Sequence, residues 1–294
     1  MILLQSATLL SPAKLNLRLE ILFERPDGYH EIATLFHKIS IFDKIRLKTI
    51  PGNRIVLTTD NPQIPSGPKN LAYKAAELIL AAAGISQGLK IHILKRIPDG
   101  AGLGGGSSNA ALTLLGLNQL LKLNLKMEVL RQLALQLGAD VPFFLLDAPT
   151  AYATGIGEAL TPVRLKDKLW FLVIFPGVTV STAWAYQSFA QYNLLTKNPN
   201  NNIIINSNLD RNTVKSLLYN DFETVVYSRY PEIDAAKNQL IETGAEGAML
   251  SGSGSAVFGI YPDKKTAKTA LAAIKTNTGQ KLFLVHSLGT EPKP

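Results

Sequence analysis

The chain of 294 residues contains no cysteine. This absence excludes disulfide bonds, zinc sites built from thiolates and cysteine nucleophiles, and it is compatible with a reducing compartment. No stretch reaches the roughly 20 apolar residues that a membrane-spanning helix needs. The first four residues are apolar, but this run is short and has no basic segment before it, which indicates a first strand and not a signal peptide. We therefore expect a soluble, cytoplasmic protein that does not contact membranes.

The sequence also lacks runs of basic residues, although 30 Lys and Arg against 22 Asp and Glu give a net charge of +8. Charge spread in this way suits a phosphorylated metabolite better than nucleic acid, and simple solubility explains it equally well. Apolar residues make up 46% of the chain, which is enough for sizeable cores and argues against disorder. This length predicts one large or two medium domains, and the order of elements along the chain favours two, residues 1–165 and residues 166–294.

Hydrophobic periodicity predicts an α+β protein. Partial alternation predicts a strand over 7–23, a turn over 25–28 and a return strand over 32–42. The asparagine-rich stretch 196–208 is predicted to be a mobile surface loop. Further helices are expected over 70–84, 110–121, 127–137, 181–191, 212–219, 233–243 and 264–276, and further strands over 45–47, 55–57, 89–94, 151–154, 169–174, 248–250, 256–260 and 281–286.

A glycine–serine run, residues 100–108, lies between a predicted strand and a predicted helix. Glycines let backbone N–H groups approach an anion closely, the serines add hydroxyl donors, and a helix start favours negative charge. Five glycines within residues 100–106 are more than a tight turn needs, so the run predicts a site for a triphosphate. It is not a Walker A loop, because no Lys-Ser/Thr pair follows, and Ser107 breaks the G-x-G-x-x-G pattern.

Three further signals are weak when each is taken alone. Lys14 and Asn16 share one side of an apolar strand, but a lone lysine is more often a surface residue. Asp140 follows a predicted helix end, where an aspartate before x-Pro is also a good N-cap. Residues 251–255 alternate serine and glycine and form either an anion-binding nest or a flexible turn. The four histidines show no metal-ligand spacing, so we expect no metal site made of protein side chains.

Taken in order, these segments resemble the GHMP kinases, the family of galactokinase, homoserine kinase and mevalonate kinase. Residues 98–111 match the phosphate loop of that family, and residues 251–254 match its C-terminal glycine-rich motif. Four segments resemble the branch whose substrate is a cytidylyl sugar-alcohol diphosphate; they are Pro12-Ala13-Lys14-Leu15-Asn16-Leu17, Arg25-Pro26-Asp27-Gly28-Tyr29-His30-Glu31, Gly104-Gly105-Gly106 and Gly138-Ala139-Asp140-Val141-Pro142. The resemblance covers residues 8–260 and implies a two-domain GHMP kinase fold. The N-terminal domain, like domain 2 of ribosomal protein S5, would bind ATP, and a ferredoxin-like C-terminal domain would bind the substrate.

The resemblance implies ATP-dependent phosphorylation of the 2-hydroxyl of that substrate, in the non-mevalonate route to isoprenoid precursors. Asp140 would take the hydroxyl proton, Lys14 would keep Asp140 ionised and stabilise the transferred phosphoryl group, and Asn16 would bind the substrate. Tyr29 and Tyr186 would stack on the cytosine, although both also suit a core. The other implied substrate residues are His30, Thr182, Gly252 and Ser253, and the implied ATP residues are Asn70, Lys95, Pro98, Gly100, Gly102, Leu103, Gly104, Gly105, Gly106, Ser107 and Ser108.

The implied cofactors are ATP and Mg²⁺, with the ion held mostly by phosphates and water. We expect small-molecule substrates, no nucleic-acid or membrane partner, and a monomer or weak homodimer. Two alternatives stay open. One is another GHMP kinase, acting on homoserine or mevalonate, and the other is a non-enzymatic protein that binds anions or RNA.

Overall fold

The computed structural model describes residues 5–191 and 208–289. Backbone contacts divide the chain into two compact units that alternate along the sequence. These units are interleaved, whereas the functional division predicted at residue 165 is a single cut, which stays a prediction. The first unit contains the residues up to Ala13, Ile41–Ile97 and Gly104–Asp147, and the second contains Lys14–Ser40, Pro98–Leu103 and the described residues from Ala148 onward.

The first unit is a sheet in the order β3-β4-β2-β1 with four helices. β3 runs parallel to β4, and β4 runs antiparallel to β2. In α3 the buried residues recur with helical spacing, as Leu130, Leu133, Ala134 and Leu137, which explains why this helix was predictable. The elements are β1 (Ser6–Glu24), β2 (His30–Ile50), β3 (Ile55–Thr59), α1 (Leu71–Ala82), β4 (Gly88–Leu94), α2 (Gly105–Leu120), α3 (Met127–Leu137) and α4 (Val141–Leu145); β1 and β2 also contribute to the second unit.

The second unit is built on an antiparallel sheet in the order β11-β7-β10-β9. Its inner strands β7 and β10 are buried on both faces, which explains their continuous apolar runs. A short strand, β8, pairs in parallel with β1 and sets Asn220 opposite Leu19. The elements are β5 (Thr150–Thr154), β6 (Ala159–Pro162), β7 (Trp170–Phe175), α5 (Thr182–Gln191), α6 (Arg211–Leu217), β8 (Tyr219–Asn220), α7 (Glu223–Arg229), α8 (Pro231–Glu242), β9 (Gly247–Leu250), β10 (Val257–Tyr261), α9 (Lys264–Ala273) and β11 (Lys281–His286).

Most predicted elements are confirmed to within a few residues, and the differences have local causes. The helix predicted to begin at Ala110 begins at Gly105, because the second half of the glycine–serine run is itself helical. The predicted strands 32–42 and 45–47 form one strand, β2. The short elements α4, β6, β8 and α7 were not predicted, and the helix predicted over 212–219 ends at Leu217, before β8. All but the last residue of the predicted loop 196–208 lies outside the described residues.

Candidate active site

Lys14 and Asn16 are alternate residues of β1, so their side chains point to the same side of the strand. Lys14 is only 4% exposed. Its Nζ atom donates to Oδ1 of Asn16 at 2.5 Å and lies 5.1 Å from the ring centroid of Phe36. The Nδ2 atom of Asn16 in turn donates to Oγ1 of Thr34 at 2.8 Å. The alternative that Lys14 is a surface lysine is therefore wrong, since this ammonium is buried among polar and aromatic partners.

Three motifs that are far apart in the sequence meet in the second unit. These are the Lys14 strand, the first half of the glycine–serine run, and residues 251–255, which we call the second glycine loop. The backbone N–H of Lys14 donates to the carbonyl of Leu103 at 2.9 Å. The N–H of Ala256, directly after the second glycine loop, donates to the carbonyl of Ala101 at 3.0 Å. The backbones of the three motifs are thus joined by hydrogen bonds.

Gly102 lies at the closest approach within this group. Its φ is +72°, and a Cβ atom added there would lie 2.0 Å from the carbonyl oxygen of Ser251, so only glycine fits. The Ser251 hydroxyl donates to the carbonyl of Gly102 at 3.1 Å and accepts from the N–H of Asn16 at 3.3 Å. The second glycine loop is therefore held on several sides, and the alternative of a flexible turn is wrong.

The second glycine loop brings backbone close to the Lys14 ammonium. A Cβ atom at Gly252 would lie 3.3 Å from Oδ1 of Asn16 and 3.5 Å from Nζ of Lys14. Next to it, the hydroxyls of Ser253 and Thr182 are 2.9 Å apart. Five residues predicted from the sequence are thus brought together. Lys14 and Asn16 were expected near the reacting hydroxyl, and Thr182, Gly252 and Ser253 were expected to bind the substrate. A buried ammonium beside glycine backbone is an environment suited to an anionic group.

The rings of His30 and Tyr186 form a stacked pair, with centroids 4.9 Å apart and planes inclined by 25°. Phe222 meets Tyr186 edge-on at 4.8 Å. Among the described residues, the buried Nε2 atom of His30 has no hydrogen-bond partner. Tyr29 is 59% exposed. His30 thus covers one face of Tyr186, and the cytosine sandwich of Tyr29 and Tyr186 stays a prediction.

Polar side chains fix the turn that carries Tyr29 and His30. Asp27 accepts a hydrogen bond from the N–H of Tyr29 at 3.1 Å, and this bond, with the Arg25 guanidinium second, lowers the pKa of Asp27. Glu31 accepts from Arg25 at 3.2 Å and from the N–H of Gly155 at 2.9 Å. The segment was recognised by its sequence, but only the structure shows that its charged residues hold the turn.

The second half of the glycine–serine run forms the start of α2 in the first unit. Gly104 is the N-cap residue with φ +69°, and the first intrahelical bond runs from the N–H of Ser108 to the carbonyl of Gly104 at 2.9 Å. The N–H groups of residues 105–107 precede that bond and have no carbonyl within the helix to bind. Residues 105 and 106 are glycines and have no side chains of their own at this helix start. This helix start is an anion-binding geometry.

Lys95 places a positive charge beneath that first turn. A Cβ atom at Gly105 would lie 3.3 Å from Nζ of Lys95. The ammonium forms an ion pair with Asp43 and donates to Oδ1 of Asn109 at 3.2 Å. Asp43 is fully buried and also accepts from the N–H groups of residues 96 and 97 at 2.7 and 2.9 Å. Sequence reasoning missed Asp43, whose signal is a carboxylate that directly follows the apolar residues Ile41 and Phe42 of β2.

Two predicted ATP residues have structural partners. The hydroxyl of Ser108 is fully buried and accepts from the Ser11 hydroxyl at 2.7 Å. Asn70 caps α1, accepting from the N–H of Ala72 at 2.9 Å, and donates to the carbonyl of Pro65 at 2.8 Å. Their side chains therefore shape the first unit, and their contacts with ATP stay predictions. Of the others, Pro98 is buried and Gly100 is exposed.

Asp140 directly precedes α4, the short helix that follows the C-terminal glycine of α3. Its side chain makes no capping hydrogen bond to α4. Asp140 therefore occupies the N-cap position of α4 without a side-chain capping bond, and its catalytic role stays a prediction.

Neither a protein-built metal centre nor a membrane span is found among residues 5–191 and 208–289. In those ranges no group of three or more His, Cys, Asp or Glu side chains has the arrangement needed to hold a metal ion. No helix there combines the length and apolar character needed to cross a bilayer.

Two family models match the sequence, the GHMP kinases N terminal domain over residues 70–148 and the GHMP kinases C terminal over residues 205–280. A protein of Syntrophotalea carbinolica named 4-diphosphocytidyl-2-C-methyl-D-erythritol kinase is 45% identical over 277 residues, which are 94% of this chain and 97% of that protein. A protein of the same name from Geobacter sp. strain M21 is 44% identical over 273 residues, or 92% and 95% of the two chains.

Solved structures agree with these matches. The crystal structure of 4-(cytidine 5'-diphospho)-2C-methyl-D-erythritol kinase superposes with a TM-score of 0.78 at 36% identity, over 96% of this chain and 100% of that one. A homoserine kinase from Cytophaga hutchinsonii superposes with a TM-score of 0.73 over 97% and 96% of the two chains, but at 18% identity it shows the fold alone. The predicted two-domain GHMP kinase fold with mixed helices and strands is thereby confirmed.

Proposed function

This chain belongs to the GHMP kinase family, and we propose that it transfers the terminal phosphoryl group of ATP to the 2-hydroxyl of 4-diphosphocytidyl-2-C-methyl-D-erythritol. The observation that carries the proposal is the 45% identity, over 94% of this chain, to a kinase that bears this substrate's name. The meeting of Lys14, Asn16 and the second glycine loop supports it. The product would continue along the non-mevalonate route to isoprenoid precursors.

The start of α2 binds the phosphates of ATP in this proposal. The N–H groups of its first turn supply the positive potential that a triphosphate needs, and the Lys95 ammonium, which is paired with Asp43, lies below them. Ser107 is partly exposed at the same helix start and offers a hard oxygen of the kind that Mg²⁺ accepts. Mg²⁺, held chiefly by phosphates and water, would add charge neutralisation at the phosphates.

Phosphoryl transfer requires an oriented hydroxyl, an acceptor for its proton and cationic stabilisation of the phosphoryl oxygens. We assign the first two roles to Asp140, whose carboxylate orients the 2-hydroxyl and accepts its proton. Lys14 stabilises the negative charge on the transferred group, and Asn16 holds both the Lys14 ammonium and the acceptor end of the substrate. The buried, hydrogen-bonded position of Lys14 supports this role.

The cytidine end of the substrate is recognised by the turn of residues 25–31 and by α5. Tyr29 and Tyr186 supply flat faces for the base, and stacking on an aromatic ring is worth about 1–3 kcal/mol. The Nε2 atom of His30, buried and without a partner among the described residues, supports a hydrogen bond to the base edge. Thr182, Gly252 and Ser253 bind the part of the substrate that follows the cytidine.

The decisive experiment couples ADP release to a spectroscopic readout, with ATP and the cytidylyl substrate. We compare the wild type with Asp140→Asn and with Asp147→Asn, a matched control at an exposed aspartate of the same unit. Loss of a general base should lower kcat about 100-fold or more, while the control stays within about twofold. An unchanged kcat in Asp140→Asn removes Asp140 as the base, and a wild type without turnover overturns the proposed kinase activity.

The same assay separates the substrates of the GHMP kinases. The cytidylyl substrate should give the largest kcat/KM when homoserine and mevalonate are offered in parallel, since neither has a base to stack. Tyr29→Ala should raise KM for the cytidylyl substrate and leave KM for ATP unchanged. Faster turnover of homoserine or mevalonate, or an unaltered KM in Tyr29→Ala, contradicts the substrate assignment.

A further inference from the structure

Residues 219–223, which we call the clamp segment, link β8 to α7 in the second unit. No motif of phosphate or substrate binding lies in it. Three of its side chains nevertheless bind backbone groups of the elements around Lys14. We infer that Asn220 is a positioning residue, which sets the peptide orientation of the second glycine loop and through it the acceptor substrate. The inference rests on the proposed function.

Asn220 is 5% exposed, and its amide is fully used. Nδ2 donates to the carbonyl of Leu250 at 2.8 Å and to the carbonyl of Gly252 at 2.9 Å, while Oδ1 accepts the N–H of residue 222 at 2.9 Å. Because a peptide is planar and trans, fixing a carbonyl also fixes the N–H of the following residue, which points the opposite way. One side chain therefore orients the N–H groups of Ser251 and Ser253.

The two oriented peptides have different surroundings. The N–H of Ser251 donates to the carbonyl of Ala256 at 2.9 Å and closes the base of the loop. Gly252, whose carbonyl Asn220 holds, lies close to the Lys14–Asn16 pair, because a Cβ atom at residue 252 would be 3.3 Å from Oδ1 of Asn16 and 3.5 Å from Nζ of Lys14. An acceptor bound beside Lys14 would thus lie next to a residue whose peptide is held by Asn220.

The rest of the clamp segment holds the frame independently of Asn220. Asp221 accepts the N–H of Ile21, on β1, at 2.6 Å. Glu223 accepts the N–H of Leu250 at 2.9 Å and pairs with Lys237 at 2.7 Å. Removing the Asn220 amide therefore leaves β1 and β9 attached to the segment through Asp221 and Glu223, and releases the carbonyls of Leu250 and Gly252 together with the N–H of residue 222. A variant that lacks the Asn220 amide is therefore expected to fold but to turn over the acceptor substrate slowly.

The test uses Asn220→Ala and Asn220→Asp, which keeps the shape but has no N–H donor. Asn238→Ala, at an exposed asparagine of α8, is the matched control. ATP-binding sites are titrated with a fluorescent ATP analogue, and turnover is expressed per site. We expect kcat/KM for the cytidylyl substrate to fall about 100-fold, the loss that a displacement near 1 Å causes. The Kd for ATP should stay within about twofold of the wild type.

A merely structural role has a different signature, because it lowers the number of ATP-binding sites and leaves the turnover per site unchanged. That result overturns the inference, and so does an equal loss of ATP affinity. If Asn220→Ala is insoluble, Asn220→Ser, which keeps one donor, takes its place with the same criteria.

Hydrogen exchange tests the inference apart from the reaction. The amides of Ser251 and Ser253 should exchange faster in the Asn220 variants than in the wild type, and the amides of β1 should not. Unchanged exchange at both serines overturns the positioning role. A wild type without turnover refutes the proposed function alone, since the exchange result still decides whether Asn220 orients the loop.

Discussion

Gly102→Ala is expected to separate the first half of the glycine–serine run from the second glycine loop. Residue 102 has φ +72°, where an alanine costs about 1–2 kcal/mol relative to the right-handed region. The added Cβ would lie 2.0 Å from the carbonyl oxygen of Ser251, and relieving such overpacking costs about 1–3 kcal/mol more. The free energy of unfolding should therefore fall by about 2–5 kcal/mol.

Gly84→Ala is a control that carries the backbone strain without the close approach. Gly84 has φ +64°, and no atom lies within 4 Å of the Cβ position. Its expected loss is only the conformational cost of about 1–2 kcal/mol. Urea unfolding of both variants gives the two losses in the free energy of unfolding, provided that their m values match. The difference between these losses measures the cost of the close approach to the Ser251 carbonyl.

The activity of the two variants should differ more than their stability. The carbonyl of Leu103 accepts from the backbone N–H of Lys14, so a displaced residue 102 also displaces the strand that carries the ammonium. We expect at least a roughly tenfold loss of kcat in Gly102→Ala, which corresponds to about 1.4 kcal/mol of transition-state stabilisation, and wild-type kcat in Gly84→Ala. Equal stability losses in the two variants, or full kcat in Gly102→Ala, refute this reasoning.

Three further predictions concern a buried histidine, a buried ion pair and a stacked ring. Burial lowers the pKa of His37 from 6.5 to about 3, so the unfolded chain binds more protons between these values. The free energy of unfolding should therefore be unaffected by this ring above pH 6.5 and should fall by about 1.4 kcal/mol per pH unit below it. Urea unfolding should show this fall in the wild type and in the control His92→Gln, but not in His37→Gln. Asp43→Asn leaves the Lys95 ammonium buried without its carboxylate and should lower the free energy of unfolding by about 3–5 kcal/mol in the same assay. The double variant Asp43→Asn/Lys95→Met should regain part of this stability, and a double variant as unstable as Asp43→Asn contradicts the account. Tyr186→Ala should raise KM for the cytidylyl substrate by roughly 5–150-fold, and an unchanged KM excludes stacking on this ring.

The first half of the site was predictable because its signals are local. Glycine–serine content between a strand and a helix predicted an anion-binding helix start, and α2 begins within that run at Gly105. The first residue of α2 was predicted wrongly. Because glycine has a low helix propensity, the helix was predicted to begin at Ala110 and not at Gly105. The fold of the whole chain followed from the resemblance of several such segments taken in order.

The supporting polar residues were not predictable, because their partners are distant in sequence. Asp43 reaches Lys95 across 52 positions, and Asn220 reaches Leu250 and Gly252 across 30 and 32. An Asp or Asn next to apolar residues can be a surface residue, a cap or a buried hydrogen-bonding residue. The sequence does not show which, because this depends on whether the side chain is buried in the folded chain. The short helix α7 was missed for a related reason, since it is held by contacts such as that of Glu223 with the N–H of Leu250.

The two glycine-rich loops differ in what aligns their peptides, and this difference explains why only one was a clear phosphate signal. At the start of α2 the helix itself aligns successive N–H groups, so no distant side chain is needed. The second glycine loop lies between β9 and β10, where no helix aligns its peptides. Their orientation comes from separate hydrogen bonds instead: the N–H of Ser251 donates to the carbonyl of Ala256, and Asn220 holds the carbonyls of Leu250 and Gly252. A relative that keeps every glycine and serine of this loop but lacks a donor at the position of Asn220 should therefore retain ATP binding and lose turnover of the acceptor.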